Sequence, residues 1–209
     1  MNINQAKEYI KNSIHMYLKK DEYGEGIYFV HHFVKGSKPG KVITLVVDTP
    51  NGLVTMCRAR LGNEAEPREM MHDFYFGTIA GYSSYSKEKH HFTSDLVGKA
   101  IEWNYCEEMQ PIKHIYSTEY YYTYVMKQED SCWVASNPAD FVKINDHLYI
   151  FSFIEERQAG IQGLFLINTD ILHDVGCFSG INGLNNFECY TVGAKGEWKT
   201  METYLASGL

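Results

Sequence analysis

Read with a period of two, the segment His147–Arg157 (HLYIFSFIEER) puts His147, Tyr149, Phe151, Phe153, Glu155 and Arg157 on one face of a strand. That face is aromatic and ends in a carboxylate and a guanidinium. A carboxylate withdrawn from water at the end of an aromatic wall has a raised pKa, and it can exchange a proton with a substrate as general acid or base. Arg157 would orient the substrate beside it, and Tyr149 would line the same wall. The same charges, Glu155, Glu156 and Arg157, equally suit a solvated rim where a strand ends. Both readings stand at this stage. The opposite face, Leu148, Ile150, Ser152 and Ile154, is nearly as apolar, so the strand is expected to be covered on both sides.

A second constellation is phenolic. Of 16 tyrosines in 209 residues, five fall between 116 and 124. Within the run Tyr120–Tyr124, Tyr120, Tyr122 and Tyr124 share one face at strand spacing, the face that also carries Tyr116. Such a wall of phenols can hydrogen-bond a polar or aromatic ligand, or it can pack ring on ring across a sheet. Tyr122 and Tyr124 are the candidates to act with Glu155, and Tyr116 is a candidate ligand contact. His173 (in LHDVGCFSG) is another candidate ligand contact, with ordinary hydrogen-bonded structure as its alternative, and His114 has similar standing. His173 and Asp174 point to opposite faces of a strand and cannot form a side-by-side dyad.

Other chemistries find little support. Nineteen Lys and Arg against 26 Asp and Glu give a net charge of -7, whereas nucleic-acid and anionic-membrane binders need a basic footprint. Neither partner is expected. No run approaches the ~20 apolar residues of a membrane span. The first twenty residues lack an apolar signal-peptide core, so a cytoplasmic location is expected. The five cysteines (Cys57, Cys106, Cys132, Cys177, Cys189) show no CxxC or Cys/His ligand spacing and read as reduced thiols. The pairs His31-His32 and His90-His91 each diverge to opposite faces of a strand, so no metal site and no cofactor are expected. Neither Cys177 nor Cys189 has local sequence that would lower a thiol pKa. No GxSxG nucleophile signature occurs.

The elements that must hold these residues are mostly strands. Ala6, Ile10, Ile14 and Leu18 recur every four residues and predict an N-terminal helix over the first twenty residues. Beyond Gly24 the texture is β: Ile27–Val34, Val42–Val47 and Leu53–Arg60, the last two joined by the hairpin signal DTPNG. A strand over Phe74–Ala80 follows. From about residue 97 short strands alternate with turn residues (NPAD, IND, QAG, NTD), the pattern of an antiparallel sandwich or barrel. Asp140, in NPAD, reads as turn chemistry after Pro138.

The C-terminal half also resembles a known family. The runs DLVGKAIEWNY (95–105), HIYSTEYYYTY (114–124), NPADFVKI (137–144), LYIFSFIEE (148–156), GIQGLFLI (160–167), LHDVGCFSG (172–180) and YTVGAKG (190–196) are similar, in consistent order, to the C-terminal domain of the MoaF family. The resemblance implies an all-β fold, a lipocalin-like (calycin) antiparallel barrel over 96–209, preceded by an N-terminal helix and accessory strands over 1–95. The family is named for molybdenum cofactor biosynthesis. The chain has no Gly-rich phosphate loop and no basic pterin-phosphate pocket, so that role is carried by the name alone. A small barrel can hold one small ligand. The leading expectation is a small-molecule-binding protein whose Tyr-lined barrel takes an aromatic or apolar ligand, with homo-oligomerisation left open. The alternative is a lyase or isomerase using Glu155 as acid/base with Tyr122 and Tyr124. A barrel filled solid by side chains would instead indicate a structural or regulatory protein.

Overall fold

Asp48-Thr-Pro-Asn-Gly is a turn with its own cap. Asn51 donates its backbone N–H and its side-chain amide to the Asp48 carboxylate (3.2 and 2.8 Å), and Gly52 takes a left-handed φ of 66°. The turn joins β3 (Lys41–Asp48) to β4 (Leu53–Arg60) as the sequence predicts. In this computed structural model, which describes residues 13–16, 20–34, 40–60, 71–82, 85–127, 131–155, 161–181 and 187–200, the hairpin is the centre of a five-stranded antiparallel sheet. Its order is β1 (Ser13–Met16), β2 (Ile27–Phe33), β3, β4, β5 (Met71–Thr78).

The N-terminal helix predicted above does not form over Ser13–Met16. These residues are strand β1, paired antiparallel with β2 from Ser13↔His32 to Met16↔Phe29. A four-residue apolar spacing is a weak local signal, and the open edge of β2 offers a ladder of backbone hydrogen bonds that local propensity does not outweigh. Residues 1–12 and 17–19 lie outside the described residues. One helical turn, α1 (Lys20–Tyr23), follows β1. Among the described residues no helix is long and apolar enough to cross a membrane.

The rest of the chain is a second sheet: β6 (His91–Phe92), β7 (Ala100–Asn104), β8 (Ile112–Ile115), β9 (Tyr121–Lys127), β10 (Cys132–Lys143), β11 (Leu148–Ile154), β12 (Ile161–Asn168), β13 (His173–Ile181) and β14 (Phe187–Lys199). From β7 to β14 each strand pairs antiparallel with the next, and β14 returns to pair with β7, from Lys195↔Asn104 to Lys199↔Ala100. The result is a closed eight-stranded antiparallel barrel, with β6 added alongside β10. Closure removes the exposed edges that an open sheet would present.

Two boundaries differ from the sequence reading, each for a local reason. NPAD is not a turn; it lies inside β10. The first part of β10 pairs with β9 up to Pro138↔Tyr121, and the second pairs with β11 from Ala139↔Phe153. Pro138, which has no N–H to donate, therefore sits where the strand changes partners. Asp140 is likewise a strand residue, ion-paired with His72 of β5. Conversely, the tyrosine-rich run is broken at 116–120, so Tyr116 lies just past the end of β8 while Tyr122 and Tyr124 belong to β9. Tyr120 lies in the bend and is exposed.

β11 is buried along nearly its whole length, as its two apolar faces predict. Tyr149, Phe151 and Phe153 face into the barrel with Trp103, Tyr116, Tyr122, Phe141 and Phe165. Leu148 and Ile150 face outward, join Val142, Leu164, Leu166 and Cys177, and pack against Phe29, Val46 and Cys57 of the N-terminal sheet. The five-stranded sheet thus covers one side of the barrel. Inside, Phe151 is the central ring, stacked on Phe141 (5.5 Å between centroids, 6° between planes) and edge-on to Tyr116 and Tyr122. Gly163 makes room for this packing, since a Cβ there would lie 2.4 Å from the Phe153 ring.

Candidate functional site

The inward faces of β8, β9, β10 and β11 bring part of the predicted constellation together. The Glu155 carboxylate, just past the end of β11, accepts a hydrogen bond from the side-chain amide of Asn137 (3.1 Å). The same amide donates to the Tyr122 hydroxyl (3.3 Å). Asn137 is fully buried and so is the Tyr122 ring. Burial, with Glu155 and the neighbouring Tyr124 and Tyr116 adding to it, holds the Tyr122 phenol well above its ordinary pKa, so it stays a neutral hydroxyl. Tyr124 lies tilted against Tyr122, 6.3 Å between centroids. Glu155, Tyr122 and Tyr124 therefore meet at one place, through an asparagine that sequence reasoning did not single out.

The other candidates are dispersed. Tyr116 is buried in the same interior, edge-on to Phe141 and Phe151. Tyr149 is on the Glu155 face of β11 but at its other end, where its hydroxyl donates to Asp95 (3.1 Å) and to the Asp146 carbonyl (3.2 Å). Those contacts tie down the turn before β11. His173 points away from the barrel interior and contacts the Glu22 carboxylate of α1 (3.3 Å). Arg157 lies outside the described residues.

The alternation that turns His173 outward turns Asp174 inward, and this carboxylate is the site residue the sequence reading passed over. Asp174 is buried, with one oxygen accepting a hydrogen bond from the Tyr105 hydroxyl (3.0 Å). Burial raises its pKa from 3.8 to about 7, against the lowering effect of Tyr105 and the Ala194 N–H. A carboxyl shifted that far up can donate as well as accept a proton near neutral pH. The available signal was period two: counted back from Phe178, Asp174 falls on the apolar inward face of β13, where a charged residue is conspicuous.

Polar atoms are threaded further through the aromatic interior. Trp103 Nε1, His114 Nδ1, the Tyr116 hydroxyl and the second Asp174 oxygen are buried and have no hydrogen-bond partner among the described residues. Trp103 Nε1 and the Tyr116 hydroxyl lie near each other without completing a hydrogen bond. Burial drives the His114 pKa down to about 3, so its imidazole is neutral at physiological pH. An open recess of about 440 Å³ adjoins this interior, bounded by Glu22 and Tyr23 on one side and by Tyr105, His173, Asp174 and Lys195 on the other.

These features define a closed antiparallel β-barrel with an aromatic interior, isolated polar groups inside it and a recess beside a buried carboxyl. The sequence model of the MoaF C-terminal domain matches residues 90–201, from β6 through β14, and the protein belongs to the MoaF family. The match takes in the whole barrel and leaves the five-stranded sheet outside it. No curated protein matches the chain.

Proposed function

We propose that the protein is a lipocalin-like small-molecule binder of the calycin type, acting in the cytoplasm. Its ligand has an aromatic or apolar body and at least one hydrogen-bonding group. The rings packed around Phe151 fill the barrel centre, so the ligand is placed in the recess at its edge. The observation that carries this reading is the second oxygen of Asp174, buried beside that recess without a hydrogen-bond partner among the described residues. Folded proteins pair such atoms, and each one left unpaired costs about 1–3 kcal/mol. It suits a group whose partner arrives with a ligand or an ordered water. The recess of about 440 Å³ falls within the usual size range of small-molecule sites and opens beside Asp174 and Tyr105. Tyr23 and Tyr105 offer ring faces, and Asp174 offers a proton to share. None of the five cysteines forms a disulfide, which suits a reducing compartment.

A second reading is favoured by one specific contact, the Asn137 bridge between Glu155 and Tyr122. It would make the protein a lyase or isomerase with Glu155 as acid/base and Tyr122 and Tyr124 orienting substrate. Under that reading Glu155→Gln binds the substrate but does not turn it over.

A thermal-shift panel of aromatic acids, aromatic amines and pterins tests the proposal. At least one class is expected to raise the melting temperature of the wild type, with a saturating dependence on concentration. Asp174→Leu, checked to be folded, is expected to lose that response. No stabilisation by any of the three classes would count decisively against a ligand-binding barrel.

A further inference from the structure

Between the N-terminal sheet and the barrel, three residues from three strands converge: His31 on β2, Cys177 on β13 and Cys189 on β14. One donor atom from each lies within 4.8 Å of the other two. His31 and Cys177 are buried, and Cys189 is partly exposed, which leaves a path from solvent. We propose that these three side chains bind one thiophilic d10 metal ion, zinc(II) or copper(I), which clamps the N-terminal sheet to the barrel.

The donor set is the first argument. Two thiolates and an imidazole select soft or borderline ions over magnesium or calcium. Bonds of about 2.0–2.3 Å from each donor to a common ion would bring the donors to just under ~4 Å apart, a contraction of about an ångström or less.

The orientation of His31 is the second. Its Nδ1 lies 2.8 Å from the hydroxyl of the buried Thr44. In the tautomer that donates Nδ1–H to Thr44, Nε2 carries its lone pair toward the cysteines. A ring nitrogen held by an oxygen acceptor while the other faces the ion is the usual arrangement of a ligating histidine. Ser179 sits among the donors, its hydroxyl 2.6 Å from His31 Nε2 and 3.6 Å from the Cys189 sulfur. That oxygen can yield its place to the ion or serve as a fourth, weaker donor.

Strand register is the third, because it disfavours the obvious rival, a disulfide. Cys177 is paired with Thr191, and Cys189 is paired with Ser179, so the two cysteines are diagonal neighbours. Diagonal Cα atoms in an antiparallel pair are roughly 7–8 Å apart, beyond the ~4.4–6.8 Å that a disulfide spans. An ion placed between the sulfurs bridges that gap. No local spacing could announce the site, since its donors come from both sheets.

The test uses the full chain, reduced and stripped of metal by a chelator, then titrated with cobalt(II) as a spectroscopic probe, with zinc(II), and with copper(I) against a chromophoric competitor. The expected result is a thiolate-to-cobalt charge-transfer band that saturates at one ion per chain and is displaced by zinc, or one-to-one copper(I) binding. The preferred ion should also raise the melting temperature. Cys189→Ala should abolish binding, and Cys177→Ala and His31→Ala should do the same where they fold. Cys106→Ser/Cys132→Ser, which removes two exposed thiols, should leave binding unchanged. Thr44→Val, which keeps all three donors, should weaken binding by about 10–100-fold. The proposal is overturned if no saturable one-to-one binding of any of the three ions occurs. Binding that survives Cys189→Ala, or that disappears with Cys106→Ser/Cys132→Ser, overturns it equally.

Discussion

Phe151→Ala is expected to destabilise the protein by about 3–5 kcal/mol, the usual range for deleting a buried phenylalanine ring. Phe151 is about 1 % exposed, and its ring contacts those of His114, Tyr116, Tyr122, Phe141, Phe153 and Phe165. These neighbours come from β8, β9, β10, β11 and β12, so no single strand can shift to fill the space without disturbing the others. Urea unfolding of wild type and variant measures the loss. If the variant folds, the hollow left at the barrel centre should admit benzene and recover part of the stability, while the wild type gains nothing. A loss below about 1 kcal/mol would mean that the ring is not at a packed centre, and the account of the barrel interior would fail. Val134→Ala, on an exposed part of β10, is the control and should change stability by about 0.5 kcal/mol or less.

Asp174→Asn should alter the pH dependence of stability strongly between pH 4 and 7. In the unfolded chain this carboxyl ionises near 3.8, and in the fold near 7. Below pH 4 both states hold the proton, and Asp174 does not weaken the fold. Between pH 4 and 7 the folded state keeps a proton that the unfolded state has lost, so stability falls as pH rises. Above pH 7 the fold carries a buried carboxylate and the full cost, on the order of 2–4 kcal/mol. Asparagine has nearly the same shape, can still accept from Tyr105 and cannot ionise. Its fold should therefore be the more stable one at pH 8 and should lose the decline between pH 4 and 7. Urea midpoints at pH 5 and pH 8 decide the matter. An unchanged slope in the variant would show that Asp174 is solvated and not the poised group inferred here.

What could be seen in advance divides along physical lines. The two apolar faces of β11 announced a strand covered on both sides, because burial leaves a direct mark on composition. The same period of two put Glu155 on the face of Tyr149, Phe151 and Phe153, and Tyr122 on the face of Tyr124, without fixing which faces are inward; Asn137 joins the two. Tyr116 shares the barrel interior with Tyr122 even though a bend separates it from β9. What escaped depended on distant partners. Ser13–Met16 became a strand because β2 offers an edge. Pro138 looked like a turn residue because the change of pairing partner in β10 is visible only once β9 and β11 are in place. Asp174 was weighed only against its sequence neighbour His173, although its importance comes from the opposite face and from Tyr105, far away in sequence. The convergence of His31 with Cys177 and Cys189 is of the same kind.

The central claim is that a ligand in the recess pairs with the buried Asp174 oxygen, and the indole N–H of Trp103, in the ring cluster against which Tyr105 packs, reports on that. Trp103 is buried in the barrel, whereas Trp133 and Trp198 are exposed. Their three indole resonances can be followed by ¹⁵N–¹H correlation spectra during titration with whichever aromatic acid, amine or pterin stabilises the fold most. The account predicts a saturating shift of the Trp103 resonance at one ligand per chain, with Trp133 and Trp198 unmoved. A Trp103 resonance that stays fixed at ligand concentrations that raise the melting temperature would contradict it.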